Sequence, residues 1–147
     1  MRKVVFSIVI IIATFVLSAC RTQMAYPLLC NEDEIQDIAV VSAWYDGEFH
    51  EKVIGFTDIT DTLTGFRKVQ SYLYYGEPLA PVYENEETLL RITYTNGSKE
   101  WINWKGQAHY TLDRGFRFYA GYYVFDEQSF STLIQSLTAV VETTAEG

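Results

Sequence analysis

Cysteine and proline are nearly missing from this chain, which has two of the one and three of the other in 147 residues. Two cysteines cannot build a disulfide scaffold, and so little proline excludes a collagen-like or Pro-rich extended chain. Histidine occurs only as His50 and His109. Neither has a His, Cys or carboxylate at a metal-ligand spacing such as H-x-x-x-H, so no metal site is expected. Basic residues are scarce as well: eleven Lys and Arg stand against nineteen Asp and Glu, a formal net charge of -8, which argues against nucleic acid as a partner. The G-x-S-x-G elbow, the P-loop and G-x-G-x-x-G are absent, so the sequence nominates no catalytic residue and no cofactor. Asp58 and Asp61 are the nearest approach to a carboxylate pair, but helix capping already accounts for them. What the chain does hold is 48% hydrophobic and 16% aromatic residues, enough for one globular domain.

The first nineteen residues are laid out as an export signal. Arg2 and Lys3 precede an apolar run from Val4 to Val16, broken only by Ser7 and Thr14 and too short for the roughly 20 residues of a spanning helix. Leu17-Ser18-Ala19-Cys20 follows and resembles the lipobox of bacterial lipoproteins. The resemblance implies cleavage before Cys20, a diacylglyceryl group on its sulfur, and a location on the extracytoplasmic face of a bacterial cell membrane. Two or more acyl chains anchor stably where one does not. Removal of residues 1–19 leaves 128 of the 147, and loss of Arg2 and Lys3 leaves nine basic against nineteen acidic side chains, a net charge of -10. Repulsion from anionic lipid then holds the domain off the surface.

Residues 20–34 are expected to be the lipidated N-terminus and a tether, with Glu32-Asp33-Glu34 a solvated acidic edge and Cys30 a small residue in the tether or at the domain edge. The domain itself is placed at 35–141. Ile38 to Tyr45 and Phe49 to Phe56 flank Asp46-Gly47 as a hairpin. Ile59, Leu63, Phe66, Val69 and Leu73 form a helical stripe behind a Thr57 or Asp58 cap. Glu77 to Glu87 reads as a surface loop. Leu89 to Thr95 and Ser98 to Trp104 flank Asn96-Gly97, expected as a two-residue type I′ turn. Gln107 to Leu112 and Phe116 to Val124 read as two more strands. Asp126 caps a last helix with Phe130, Leu133, Ile134, Leu137 and Val141 on one side, and 142–147 should fray. The order is ββαββββα: a single α+β domain, mainly antiparallel sheet, with two helices packed on one face.

This order, with its Asn-Gly turn, its Gly-Tyr-Tyr strand end and its closing amphipathic helix, looks like small lipoprotein domains of Gram-positive bacteria over about Ile35 to Leu137. Those domains have no assigned biochemical function, and the resemblance implies no catalytic residues.

Trp44, Trp101, Trp104, Tyr119 and Tyr123 fall in the expected strands. With helices on one face only, some of them should be exposed together on the other, as a candidate binding surface. Cross-strand packing is the competing explanation, since aromatics favour strands in any case. Lys99, Lys105, Arg114 and Arg117 gather in the second half of the chain, away from the acids. The reading that follows is a non-enzymatic binding or sensing module for a peptide, protein or envelope component, attached to the membrane through Cys20. The alternatives are a small envelope hydrolase using dispersed carboxylates and an inhibitor or immunity-type lipoprotein.

Overall fold

Turn chemistry and alternation build a sheet in which each strand lies beside the one it follows, with a single exception. The computed structural model describes residues 28–73, 85–119 and 123–145. The export signal, Cys20, the tether up to residue 27 and most of the expected 77–87 loop lie outside them. Among the described residues there are eight strands: β1 Ile35–Tyr45, β2 Phe49–Thr57, β3 Ser71–Leu73, β4 Glu87–Tyr94, β5 Lys99–Asn103, β6 Gly106–Thr111, β7 Gly115–Tyr119 and β8 Tyr123–Phe125. Two helices accompany them, α1 Ile59–Phe66 and α2 Glu127–Ala145, and a short 3-10 turn covers Glu32–Glu34. Six strands form one antiparallel sheet in the order β2-β1-β4-β5-β6-β7, while β3 and β8 pair separately. The domain is single and α+β, with both helices on one face.

Four local details differ from the sequence reading. Helix α1 stops at Phe66 instead of continuing through Leu73, because the chain tightens (Val69 N–H to Phe66 C=O, 3.0 Å) and Ser71–Leu73 pair with β8. Val69 stays in the core at 7% exposure. The expected strand 116–124 is divided between β7 and β8, which belong to different sheets. The Asn96-Gly97 hairpin has three loop residues, not two: Tyr94 and Ser98 close it, Gly97 lies at φ 80°, and no described residue other than glycine has positive φ. A type I′ turn needs two consecutive positive φ values, so the loop is a turn with a glycine bulge. Helix α2 runs on to Ala145, into the tail expected to fray from residue 142, and Thr143 Oγ1 back-bonds to the Ala139 carbonyl at 2.8 Å.

Both helices begin on aspartate. Asp58 accepts from Asp61 N–H at 2.9 Å, and Asp126 accepts from the backbone and hydroxyl of Ser129 at 2.8 and 2.6 Å. Those bonds hold the half-buried Asp126 carboxyl below its usual range. The stripes then bury Leu63, Phe66, Phe130 and Ile134 against Ile38, Leu90, Ile92, Tyr94 and Ile102 of the sheet. Each aliphatic side chain fully buried there contributes about 1.5–3 kcal/mol. Gly55 lets α2 approach β2, since a Cβ on it would stand 1.9 Å from Val141 Cγ1.

Leu28, Leu29 and Cys30, at the end of the expected tether, also pack on this core. The acidic turn after them is exposed, with Asn31 and Glu34 forming a capping box and Glu32 paired to Arg67.

Candidate functional site

The face of the sheet away from the helices is not open. Its residues alternate with the helix-side core: Ala39, Val41 and Ala43 on β1, Leu89 on β4, Trp101 on β5 and Ala108 on β6, all buried and packed as a second cluster. Among the described residues no helix covers them. The sheet covers them itself by rolling up, as one contact demonstrates. Phe49 on edge strand β2 stacks on Phe116 on the opposite edge strand β7, with ring centroids 4.4 Å apart. In a flat sheet those strands would be separated by five steps of ~4.8 Å, about 24 Å.

The two rings are staggered along the strands as well. Phe49 stands beside Tyr45, whereas the row through Phe116 passes Tyr110, Lys99 and Thr93 to Asp37, eight positions earlier on β1. Stagger of this kind is what closing a sheet into a barrel requires. Three alanines give the interior room, and two bulges, at Gln36 on β1 and Ile54 on β2, add twist.

Charges are placed inside the roll. Arg91 has an 8% exposed side chain and donates to Glu51 Oε1 at 3.1 Å and to Asp37 Oδ1 at 3.2 Å. Glu51 reaches from β2 to β5, where its Oε2 accepts from Trp101 Nε1 at 2.6 Å and its Oε1 lies 3.7 Å from Lys99 Nζ. Leaving the buried Arg91 unpaired would be costly, so its two carboxylate partners tie β1, β2 and β4 together on this face.

At the end where β2 and β7 fail to pair, a pocket of about 620 Å³ opens between the β1–β2 hairpin and strands β5 to β7. Its walls are Tyr45, Phe49, Trp101, Tyr110 and Phe116, with Lys99 inside and Gly47 and Glu48 on the hairpin. Phe49, Trp101 and Phe116 hold one another at centroid distances of 4.4 to 5.5 Å, so the walls are set before a ligand arrives.

The five aromatics read from the sequence are not gathered on one surface. Trp101 belongs to the pocket wall but is only 4% exposed, so the expected open aromatic face is absent where Trp101 stands, and the rolling is the reason. Trp44 lies on the helix-bearing side by strand alternation and stacks on His50 at 5.2 Å. Trp104 sits in the β5–β6 turn, packs against the helix-side core, and carries Lys105 Nζ 5.2 Å from its ring. Tyr119 pairs with Gln107 and Tyr123 with Leu73 in the backbone register, and their side chains lie outside the described residues. Tyr45, Phe49, Phe116, Glu51 and Arg91 were missed. A signal existed for Arg91, a lone cation in the otherwise apolar run Leu89 to Ile92, the usual mark of a buried, paired charge.

A second polar group occupies the helix side. Glu100 is fully buried there and accepts from the Tyr94 hydroxyl and from Leu29 N–H at 3.3 Å, while His109 Nε2 lies 3.7 Å from its Oε2. Burial, with the Glu100 charge adding to it, pushes the Tyr94 phenol far above its usual range. Burial also holds His109 down to about 4. The docked Leu28–Cys30 segment covers this group.

Elsewhere, His50 Nε2 donates to Asp46 Oδ1 at 2.9 Å on the exposed hairpin, a contact that lowers the Asp46 carboxyl. Asp58 and Asp61 are used in the α1 cap. Lys99 and Lys105 pair with Glu51 and Glu87, and Arg114 with Asp113. Among the described residues no group of three or more His, Cys, Asp or Glu is placed to hold a metal ion, and no helix is long and apolar enough to cross a membrane. Comparison with known protein families, curated proteins and solved structures gives no match.

Proposed function

We propose that this chain is a lipid-anchored, extracytoplasmic module that binds or senses rather than catalyses, and that it takes its ligand in the pocket at the seam of the rolled sheet. The supporting observation is the pocket itself: aromatic walls fixed by their own packing around one lysine. Ligand sites are commonly concave and apolar with a few placed polar groups. A small envelope hydrolase would draw on Asp37 and Glu51, the part-buried carboxylates inside the roll, but both are engaged by Arg91, and Glu48 on the pocket's hairpin wall is exposed. Anchoring rests on Leu17-Ser18-Ala19-Cys20.

Two measurements test the proposal. Metabolic labelling with a palmitate analogue should mark the wild type and not Cys20→Ser; equal labelling of both, or of neither, removes the anchor. Phe116→Ser should abolish capture of a ligand or partner from a membrane extract while the domain stays folded. Capture that persists with folding intact would place the site elsewhere.

A further inference from the structure

Resting on that reading of the pocket, we infer that its ligand is a small organic anion: a flat apolar body held between the aromatic walls, with its charged group at Lys99. The walls decide the first half. Five rings and no wall carboxylate apart from the exposed Glu48 on the hairpin leave an interior that favours apolar surface over a hydrated polar ligand.

The second half follows from Lys99 on the pocket lining and from two unpaired donors behind it on β4, beside which the Glu51 carboxylate is already occupied. Lys99 Nζ has three N–H donors, and its one ion pair is a loose one, at 3.7 Å to Glu51. The Glu51 carboxylate is more closely held by Arg91 at 3.1 Å and Trp101 at 2.6 Å. Thr93 is the cross-strand neighbour of Lys99, and its buried hydroxyl has no hydrogen-bond partner. Arg91 is the cross-strand neighbour of Trp101, and its buried Nε is likewise without one. Three neighbouring positions on the same face of β4 and β5 thus supply donors, Lys99 on the pocket lining and Thr93 and Arg91 behind it, that an anion reaching Lys99 would help to satisfy. Buried polar groups left unpaired are costly, which is why such a set marks a place for an acceptor. A carboxylate or sulfonate adjoining an aromatic or aliphatic body matches both halves.

The test compares two probes that share a ring system and differ in charge, 2-naphthoate and 2-naphthalenemethanol. Each is titrated calorimetrically into the full-length chain in lipid nanodiscs, with empty nanodiscs subtracted. Naphthoate is expected to bind at least tenfold more tightly than the alcohol. Lys99→Met should bring naphthoate to within twofold of the alcohol while leaving the alcohol unchanged, and Thr93→Val should weaken naphthoate alone by a few-fold. An unchanged near-ultraviolet circular dichroism spectrum establishes that each variant is folded. Equal binding of the two probes to the wild type, or a preference that survives Lys99→Met, overturns the anion assignment and leaves the pocket standing. Binding of neither probe removes the pocket reading, and this inference with it.

Discussion

The two faces of the six-stranded sheet are made from alternate residues of the same strands and solve the same problem differently. On the helix side, Ile38, Leu90, Ile92 and Ile102 meet the stripes of α1 and α2, and burial is achieved by adding a layer. On the other side no layer is added. Small residues, bulges and a staggered register let the sheet bend until its edge strands touch through Phe49 and Phe116. The helix side tolerates one enclosed polar group, built on Glu100, Tyr94 and His109. The rolled side is organised by charge, with Arg91 between Asp37 and Glu51. The lesson is that the layered face carries stability and the rolled face carries shape, and shape is what a binding pocket needs.

The largest effect expected from separating the two lies in the layered core. Ile102→Ala, at a fully buried position, should lower unfolding free energy by about 3 kcal/mol in chemical denaturation. A loss under about 1 kcal/mol would mean that the helix side can collapse onto the cavity and is not the stabilising layer.

Arg91→Met tests the rolled face. It removes the ion pair of Asp37 and leaves Glu51 with Trp101 and Lys99 alone, and the two carboxylates are 27% and 21% exposed and so are partly relieved by water. The expected cost is about 2 kcal/mol, below the 3–5 of a fully buried pair. Its near-ultraviolet spectrum should change at Trp101, whereas a spectrum like the wild type's would show that the roll does not depend on the ion pairs.

Acid returns the test to the helix side. His109 is held down to about 4, against roughly 6.5 for an unfolded chain. Between those values the unfolded chain binds the proton and the folded one does not, so stability is full above about pH 6.5 and falls as the pH drops toward 4. Going from pH 7 to pH 5 should cost about 2 kcal/mol through this group, an upper figure because Glu100 nearby favours the protonated ring. His109→Phe should flatten that part of the profile. An equally steep profile in the variant would assign the dependence to other groups.

The strands, caps and stripes were legible because each depends on neighbours within about ten residues. Asp58 and Asp126 sit where a cap must sit, and the 3.6-residue period names the buried side of α2. Helix α1 was read too long because Val69 and Leu73 continue a helical stripe and are equally good strand residues; pairing with β8 decided between the two. The roll was not legible, since it depends on the stagger accumulated over six strands.

Trp101 shows what that hides. Alternation through Lys99, Glu100, Trp101 and Ile102 puts Glu100 with Ile102 and Trp101 with Lys99, but it does not say which side is enclosed. Both are, and so a glutamate and a tryptophan on opposite faces are each buried.

The rolled sheet is the claim on which the pocket, the donor set and the ligand class all depend, and the Phe49–Phe116 contact reads it directly. With phenylalanine and tryptophan ring protons selectively labelled, a nuclear Overhauser experiment should give a strong Phe49–Phe116 cross-peak, together with progressively weaker Phe49–Trp101 and Trp101–Phe116 peaks, following centroid separations of 4.4, 4.8 and 5.5 Å. A spectrum in which Phe49 contacts only its own hairpin, with no peak to Phe116 or Trp101, would describe an open sheet and contradict the account.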